Sequence, residues 1–485
     1  MSGSLPSRRP AAKLLAVPAL AVALAALATG AADPPVPAGK QQKETLVGGV
    51  PLFAGWPKGK APDAVLVLTG QTHGYLQPCG CSRPQFGGLE RRAYFIETLR
   101  AKGWPVAGLD LGDIHPESVA VRDQGQLKYL ATMTALREMG YVAVGVGETD
   151  ISANLLSLLS RYALQPPNDR PPFTLAGNAV GFVGGKQVPR AEWFAPPPGA
   201  NRPLVGLTEV ADVGKVQVGV AGVVGHKLID TAKSKKLDPA LDFTPEPAAL
   251  KAAATELGKH PRKPQLSVLI YQGPAADAEK VAKDFPQFAV ILCQATDPLP
   301  PLKPKTPEGT KTLIVEVGTR GQNVGVLGAF RKPDGGFEFH YQLVPMGEEY
   351  DTPGTDAEAF KKNKALAVLQ EYANNVKADI RLGKDYPRAE HPAQIHAGAL
   401  KPPVKLTYVG SEACKACHQA EFAVWANAKD KHAHSVAMTT LEKYAQRPNL
   451  RQFDGECVKC HSVGFDHRSG FAEEKTTPHL RHVGC

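Results

Sequence analysis

The sequence is short of the features that would place it in several large functional classes. No block of lysine and arginine stands out, and of the formal charge of +9, three positive charges belong to Arg8, Arg9 and Lys13 at the very start, so a nucleic-acid-binding arm is excluded. Apart from one run near the start, no apolar stretch approaches the roughly 20 residues that cross a bilayer, which excludes a polytopic membrane protein. Cysteine is sparse over most of the chain, where only Cys79, Cys81 and Cys293 precede the tail, so a disulfide framework does not organise its bulk. What is present is an ordinary globular composition of 43% apolar, 21% charged and 7% aromatic residues. A length of 485 residues suits two or three domains, and 47 Gly with 43 Pro imply many turns and long connections.

The start sets the compartment. Arg8, Arg9 and Lys13 precede an apolar run from Leu14 to Ala28, interrupted by Pro18 and followed by the small residues Gly30, Ala31 and Ala32. That order predicts a secretory signal peptide over residues 1–32, and hence a periplasmic or otherwise exported protein, tethered to the membrane only if the segment stays uncleaved.

Residues 33–61, rich in Pro, Gly and Lys, read as an extended leader. From Ala64 the pattern alternates. Val65 to Leu68 is a short apolar strand, Leu89 to Arg100 is helical, Val106 to Leu111 is a strand, Leu127 to Met139 is helical and Val142 to Val146 is a strand. Lys215 to Val224, Leu266 to Tyr271 and Ala289 to Leu292 add buried strands, the last two bracketing a helix over Ala275 to Phe285. Thr312 to Val317 and Val324 to Phe330 read as a paired edge. The alternation predicts an α/β domain over 62–345. Over 346–405, Thr355 to Glu358 has the form of a capping box leading one long helix, followed by a Pro-rich linker. Residues 406–485 form a separate module holding the other five cysteines.

That module carries Cys414-Lys415-Ala416-Cys417-His418 and Cys457-Val458-Lys459-Cys460-His461, two copies of C-x-x-C-H. Two thiols at this spacing reach the two vinyl groups of one haem, and the adjacent His then lies beneath the iron as a ligand. A four-cysteine zinc ribbon usually leaves about 15–20 residues between pairs; here the gap runs from Cys417 to Cys457, and zinc would not require a His after each pair. The expectation is covalent haem c, at least two per chain, with His418 and His461 on iron. Candidates for the opposite face are His432, His434, His467, His479, His482 and Met438.

Together with Trp425, His434-Ser435-Val436-Ala437, Leu441, Val463-Gly464-Phe465, Gly470-Phe471 and Val483-Gly484-Cys485, the two pentapeptides give the tail a resemblance to multihaem cytochromes c of the type that accept electrons from hydroxylamine oxidoreductase. The resemblance implies a mainly helical, loop-rich module, redox partner proteins, and His434, seven residues before Leu441, as a distal ligand with His432 as runner-up. It also implies that Cys485 opens a further attachment motif, so that the full haem number exceeds two.

The large domain resembles the metallophosphoesterases of the 5′-nucleotidase and thiosulfohydrolase type. Gly70-Gln71-Thr72-His73, Gly87-Gly88-Leu89, Asp110-Leu111-Gly112-Asp113, Gly147-Glu148-Thr149-Asp150, Asn178 and Val290-Ile291-Leu292 carry the likeness. It implies an α/β sandwich of two mixed sheets flanked by helices. It also implies strand-end loops that in such enzymes hold two metal ions with about seven N and O ligands. In this chain Gln71 stands for the first Asp, Glu148 for an Asn and Thr149 for the catalytic His. Gln272 replaces a lone His, and Ala295 and Asp297 replace the final pair. The expectation is a catalytically degenerate site with no binuclear centre, in which His73, Asp113 and Glu148 are the residues left to hold a single divalent metal. Cys79-Gly80-Cys81 is too short for an unstrained disulfide in most backbones; its thiols bind a soft metal, pair elsewhere, or merely sit in a tight glycine turn. Cys293 reads as a small buried hydrophobe.

Two functions from different classes follow. The first is an exported electron-transfer cytochrome whose large domain docks or recognises a partner. The alternative is an enzyme, either acting on an oxyanion such as a reduced sulfur compound or a phosphoesterase with a retooled metal site.

Overall fold

A computed structural model describes residues 46–47, 50–78, 84–117, 122–165, 171–198, 201–297, 299–378, 388–427, 429, 433–444, 447 and 451–484. The large domain is a four-layer sandwich. In chain order its strands are β1 Ala64–Thr69, β2 Val106–Asp110, β3 Tyr141–Val144, β4 Phe173–Thr174, β5 Thr208–Val213, β6 Val216–Val224, β7 Leu266–Pro274, β8 Val290–Gln294, β9 Leu313–Val315, β10 Asn323–Arg331 and β11 Phe337–Pro345. A six-stranded sheet runs β11-β10-β1-β2-β3-β4 and a five-stranded sheet runs β9-β8-β7-β6-β5, with a small three-stranded sheet formed by Ala179–Val183, Lys186–Val188 and Leu241–Phe243. In both large sheets the central strands are parallel and one edge turns antiparallel.

The apolar strands are explained by burial on both faces. Ala64, Leu66 and Leu68 of β1 meet Val218 and Val220 of β6, Val268 and Ile270 of β7 and Leu292 of β8 between the sheets. Val65 and Val67 point the other way, toward α1 (Leu89–Arg100) and α2 (Arg122–Glu138). On the far side, Leu269, Ile291 and Cys293 pack under the helices Glu246–Lys259 and Ala275–Asp284. Strands buried twice have no polar face to show, so the period-two signal vanishes and a continuous apolar run replaces it.

Two expectations are corrected. Leu313–Val315 and Asn323–Arg331 do not pair with each other: the first adds in parallel to β8 in the five-stranded sheet, and the second lies antiparallel to β1 in the six-stranded one. The sequence offered two adjacent apolar runs, and adjacency in sequence does not fix which sheet each joins. The single long helix after Met346 is two, Asp356–Lys362 and α3 (Lys364–Ala378). Asn363 breaks it. Its amide donates to the Glu90 carbonyl and to Thr352 Oγ1, both at 2.8 Å, while its Oδ1 accepts the Ala365 N–H. A side chain that caps the second helix and ties it to α1 holds its own backbone out of helical conformation. The capping box at Thr355 and Glu358 is present as read. From the segment read as leader, Trp56 enters the core, stacked on Trp104 at 5.2 Å and edge-on to Phe330 at 5.8 Å.

The tail is helical in short pieces: α4 (Gln419–Trp425), α5 (Gly455–His461) and several single turns. Its apolar core is Met438, Leu441, Val458, Phe465, Phe471 and Leu480. So few side chains supply little stabilisation for some 80 residues, a scale at which small domains usually rely on a covalent or metal staple. Among the described residues, no helix is long and apolar enough to cross a membrane.

Candidate functional site

The second pentapeptide is the better built of the two. Asp454 caps α5, accepting the Glu456 N–H at 3.0 Å, and the helix carries Cys457, Cys460 and His461 through one and a half turns. Residues three and four apart share a helix face, so Cys457, Cys460 and His461 lie together. Cys460 is exposed and Cys457 half-buried, which leaves both sulfurs able to meet a macrocycle on that face. His461 Nδ1 donates to the Ala437 carbonyl at 2.7 Å. That bond fixes the tautomer, turning the lone pair of Nε2 outward as a ligand. Burial pushes the imidazole below its ordinary pKa, against the opposing pull of the Ala437 bond, and so favours the neutral, ligating form. Ala437 follows the turn that carries His434, so the segment expected to supply a distal ligand orients the His of the second pentapeptide.

The first pentapeptide is arranged differently. Cys414 ends a short turn from Ser411, the His418 N–H donates to the Cys414 carbonyl at 2.9 Å, and His418 and Cys417 are exposed at the start of α4. Six of the eleven exposed large apolar side chains among the described residues fall on the stretches of chain that lead into and out of this pentapeptide: Ile395, Leu400, Val404, Leu406, Val409 and Val424. Apolar surface of this kind beside an attachment motif fits a haem that would cover it. The residues present therefore fit haem c, which when bound supplies a one-electron couple at its iron.

The candidate distal ligands separate by geometry. His434 and His479 are exposed. His482 Nδ1 accepts the Met438 N–H at 3.1 Å and its Nε2 lies 3.3 Å from the Arg481 guanidinium, so both ring nitrogens are engaged within the tail. His467 stands edge-to-face with His391 at 4.8 Å. His391, within the Pro-rich linker, carries no motif and was not singled out by the sequence. Met438 is buried in the tail core. His432 and Cys485 lie outside the described residues, as do Cys79 and Cys81.

The tail is fastened to the large domain at α5. Lys128 on α2 is 4% exposed; it contacts Glu456 Oε2 and lies 3.8 Å from Asp454 Oδ2. Asp454 also accepts from Gln124 Nε2 at 2.6 Å and from the Tyr372 hydroxyl of α3 at 2.8 Å. Burial acts to lower the Lys128 ammonium pKa, but Asp454 and Glu456 override it, and the net shift is upward. Arg447 makes a second clamp, donating to the Thr352 carbonyl at 2.6 Å and pairing with Glu90 at 3.3 Å. Sequence reasoning missed Lys128, because Gln124, Lys128 and Thr132 at i, i+4, i+8 form a polar stripe that ordinarily faces water. All three are buried.

The second centre lies where the strands of the large domain end. Gln71, His73 and Asp113 hold left-handed backbone at φ 48, 47 and 56, and Arg320, whose N–H donates to the Gln71 carbonyl at 2.7 Å, sits at φ 58. Non-glycine residues held in this region are strained and gather at functional loops. The side chains there are turned to structural use. Gln71 Oε1 accepts the Ala295 N–H at 2.8 Å and its amide returns to the Ala295 carbonyl at 3.3 Å, pinning the ends of β1 and β8 together across the two sheets. Gln272 donates to the Leu111 carbonyl, and the Asn178 side chain brackets Val224, its Nδ2 donating to the Val224 carbonyl and its Oδ1 accepting the Val224 N–H.

Asp113 is buried, and its Oδ1 accepts from the Thr149 N–H at 3.0 Å and the Thr149 hydroxyl at 3.3 Å. Burial raises its carboxyl pKa, with the His73 ring pulling it down and Glu148 pushing it up, so the three residues named from sequence are neighbours. Glu148, however, reaches outward to Lys235 at 2.8 Å, and His73 Nδ1 lies 3.7 Å from Glu117. Asp297 turns back on its own loop to accept the Leu299 N–H at 2.8 Å. Among the described residues, no three His, Cys, Asp or Glu side chains meet in a way that could hold a metal ion. Sequence reasoning gave Asp150 no role, yet it is the hub of these loops: it accepts the N–H groups of Asp113, Ile114, His115 and Gly147 at 2.9–3.0 Å. Burial and the Asp113 charge push its carboxyl up to about 7 against those four donors.

Residues 413–485 match the family model described as cytochrome c554 and c-prime. Among curated proteins, cytochrome c-554 of Nitrosomonas europaea is 31% identical over 88 residues, which is 16% of this chain and 36% of that relative. The chain thus spans about a third of the curated relative it matches, and the match implies haem c and a c-type cytochrome module. Solved structures similar to the large domain include the 5′-nucleotidase precursor of Thermus thermophilus (21% identity, TM-score 0.49, 65% of this chain and 59% of that one). The sulfate thiohydrolase SoxB of the same organism follows at 16% identity and TM-score 0.48, over 65% and 62%. The calcineurin-like phosphoesterase YfkN of Bacillus subtilis is 15% identical with TM-score 0.44, over 64% and 97%.

Proposed function

We propose that this protein is an exported multihaem c-type cytochrome that carries electrons between redox partner proteins. Its phosphoesterase-like domain, 62–345, is a non-hydrolysing body for docking or recognition, joined through 346–405 to the haem module of 406–485. The observation that carries the reading is the pair of C-x-x-C-H pentapeptides, the second with His461 already oriented by Ala437 to present Nε2. Cys414, Cys417, Cys457 and Cys460 attach two haems, His418 and His461 are proximal ligands, and His434, seven residues before Leu441, is the distal ligand that the resemblance implies. The strand-end loops of the large domain keep the strained backbone of a catalytic centre, but Gln71 and Gln272 bond to backbone where a binuclear site needs carboxylate or imidazole.

The test has two arms. A spectroelectrochemical titration of the purified full chain should show reversible one-electron reduction of low-spin haem. The same preparation loaded with manganese should not cleave nucleotides. Nucleotide cleavage that Asp113→Asn abolishes would assign hydrolysis to the large domain and defeat that half of the reading.

A further inference from the structure

A charged group buried at the join between two parts of a molecule must serve that join, because burying an ammonium is costly unless its partners compensate. Lys128 is such a group. It comes from α2 of the large domain and is almost wholly enclosed, yet both of its carboxylate partners, Asp454 and Glu456, belong to the tail. These two carboxylates are special in position. Asp454 caps the helix that carries the second pentapeptide, and Glu456 immediately precedes Cys457. Gln124 and Tyr372 bond Asp454 as well, so that carboxylate is held at once from α2 of the large domain and from α3 of the segment that follows it.

From this juxtaposition we infer that Lys128 is a tuning and positioning residue through which the large domain sets the reduction potential of the haem attached at Cys457 and Cys460. The inference rests on the proposal that haem is attached there. An iron porphyrin gains positive charge on oxidation, so a nearby fixed cation opposes oxidation and raises the potential, while a nearby anion lowers it. Lys128 and Asp454, with side chains 5% and 13% exposed, are screened little, whereas the Glu456 side chain is 38% exposed and is screened more. Lys128 and Glu456 therefore act in opposite directions on the same couple, and the large domain becomes part of the redox centre.

The opposite signs make the test decisive. Pyridine haemochrome analysis first establishes haem content in the parent, Lys128→Gln, Glu456→Gln and the double variant, and redox titration then resolves the individual couples. One couple should move down in Lys128→Gln and up in Glu456→Gln, returning toward its parent position in the double variant, while other couples stay put. A purely structural role predicts something else: either change would loosen the join, admit water and move the couple in the same direction. Full haem content with both single variants unmoved, or moved in the same direction, overturns the inference while leaving the haem assignment intact. A haem-free parent would instead overturn the underlying reading, and this inference with it. If Lys128→Gln does not accumulate, Glu456→Gln alone decides, an upward shift supporting the inference and an unmoved couple refuting it.

Discussion

His115 shows how single residues lock the strand-end loops. Its N–H donates to Asp150, its Nδ1 lies 3.0 Å from the Pro116 carbonyl, and its Nε2 is buried without a partner, facing Gly125 of α2 so closely that a Cβ there would stand 2.5 Å away. Burial lowers the ring's pKa below 6.5, with Lys128 adding to the effect. The unfolded chain takes up a proton near the ordinary value and the folded one does not, so stability falls as pH drops below about 6.5 and levels off beneath the folded pKa. Between pH 7.5 and 5, chemical denaturation should therefore show the parent losing stability relative to His115→Leu, by at most about 1.4 kcal/mol per pH unit, beside the opposite contribution that both share from the raised carboxyl of Asp150. Superimposable pH profiles would contradict this. At the same scale, the substitutions at Gln71, Thr149 and Gln272 were legible in the sequence because a motif fixes which residue type is missing. The new partners of Gln71 and Gln272 were not, since a backbone carbonyl as acceptor leaves no mark in the chain.

Elements were legible where burial is double-sided. The apolar runs of β1, β6, β7 and β8 announced themselves, as did the helix of Leu89 to Arg100. Elements whose limits depend on one tertiary contact were not: the break at Asn363 exists because of Glu90 and Thr352, remote in sequence. α5 is a sharper case. Read alone it is a C-x-x-C-H segment, but its N-cap, Asp454, is also the contact point of α2 and α3. Asp454→Ala should remove a cap and leave Gln124, Tyr372 and Lys128 short of a partner, costing about 2–3 kcal/mol. Hydrogen exchange should quicken at 455–461 and along the facing turns of α2, with β6 and β7 unchanged. Uniform exchange in parent and variant would show that the cap does not hold the join.

At the scale of the whole molecule, two units of different chemistry share one buried polar seam. The sandwich has ample core of its own, with apolar layers between the sheets and beneath the helices on both outer faces. Among the described residues the tail's apolar core is a cluster of six side chains, and most of its first attachment motif is exposed. Such a module becomes stable by what is bonded to it, which is why haem attachment is the central claim. Intact mass of the denatured full chain, produced where c-type haem is ligated, tests it most directly. The parent should carry at least two haems that survive denaturation, and the paired changes Cys414→Ala with Cys417→Ala, or Cys457→Ala with Cys460→Ala, should each remove one. A parent at the mass of the bare polypeptide, beside a control cytochrome that matures in the same cells, would contradict the account.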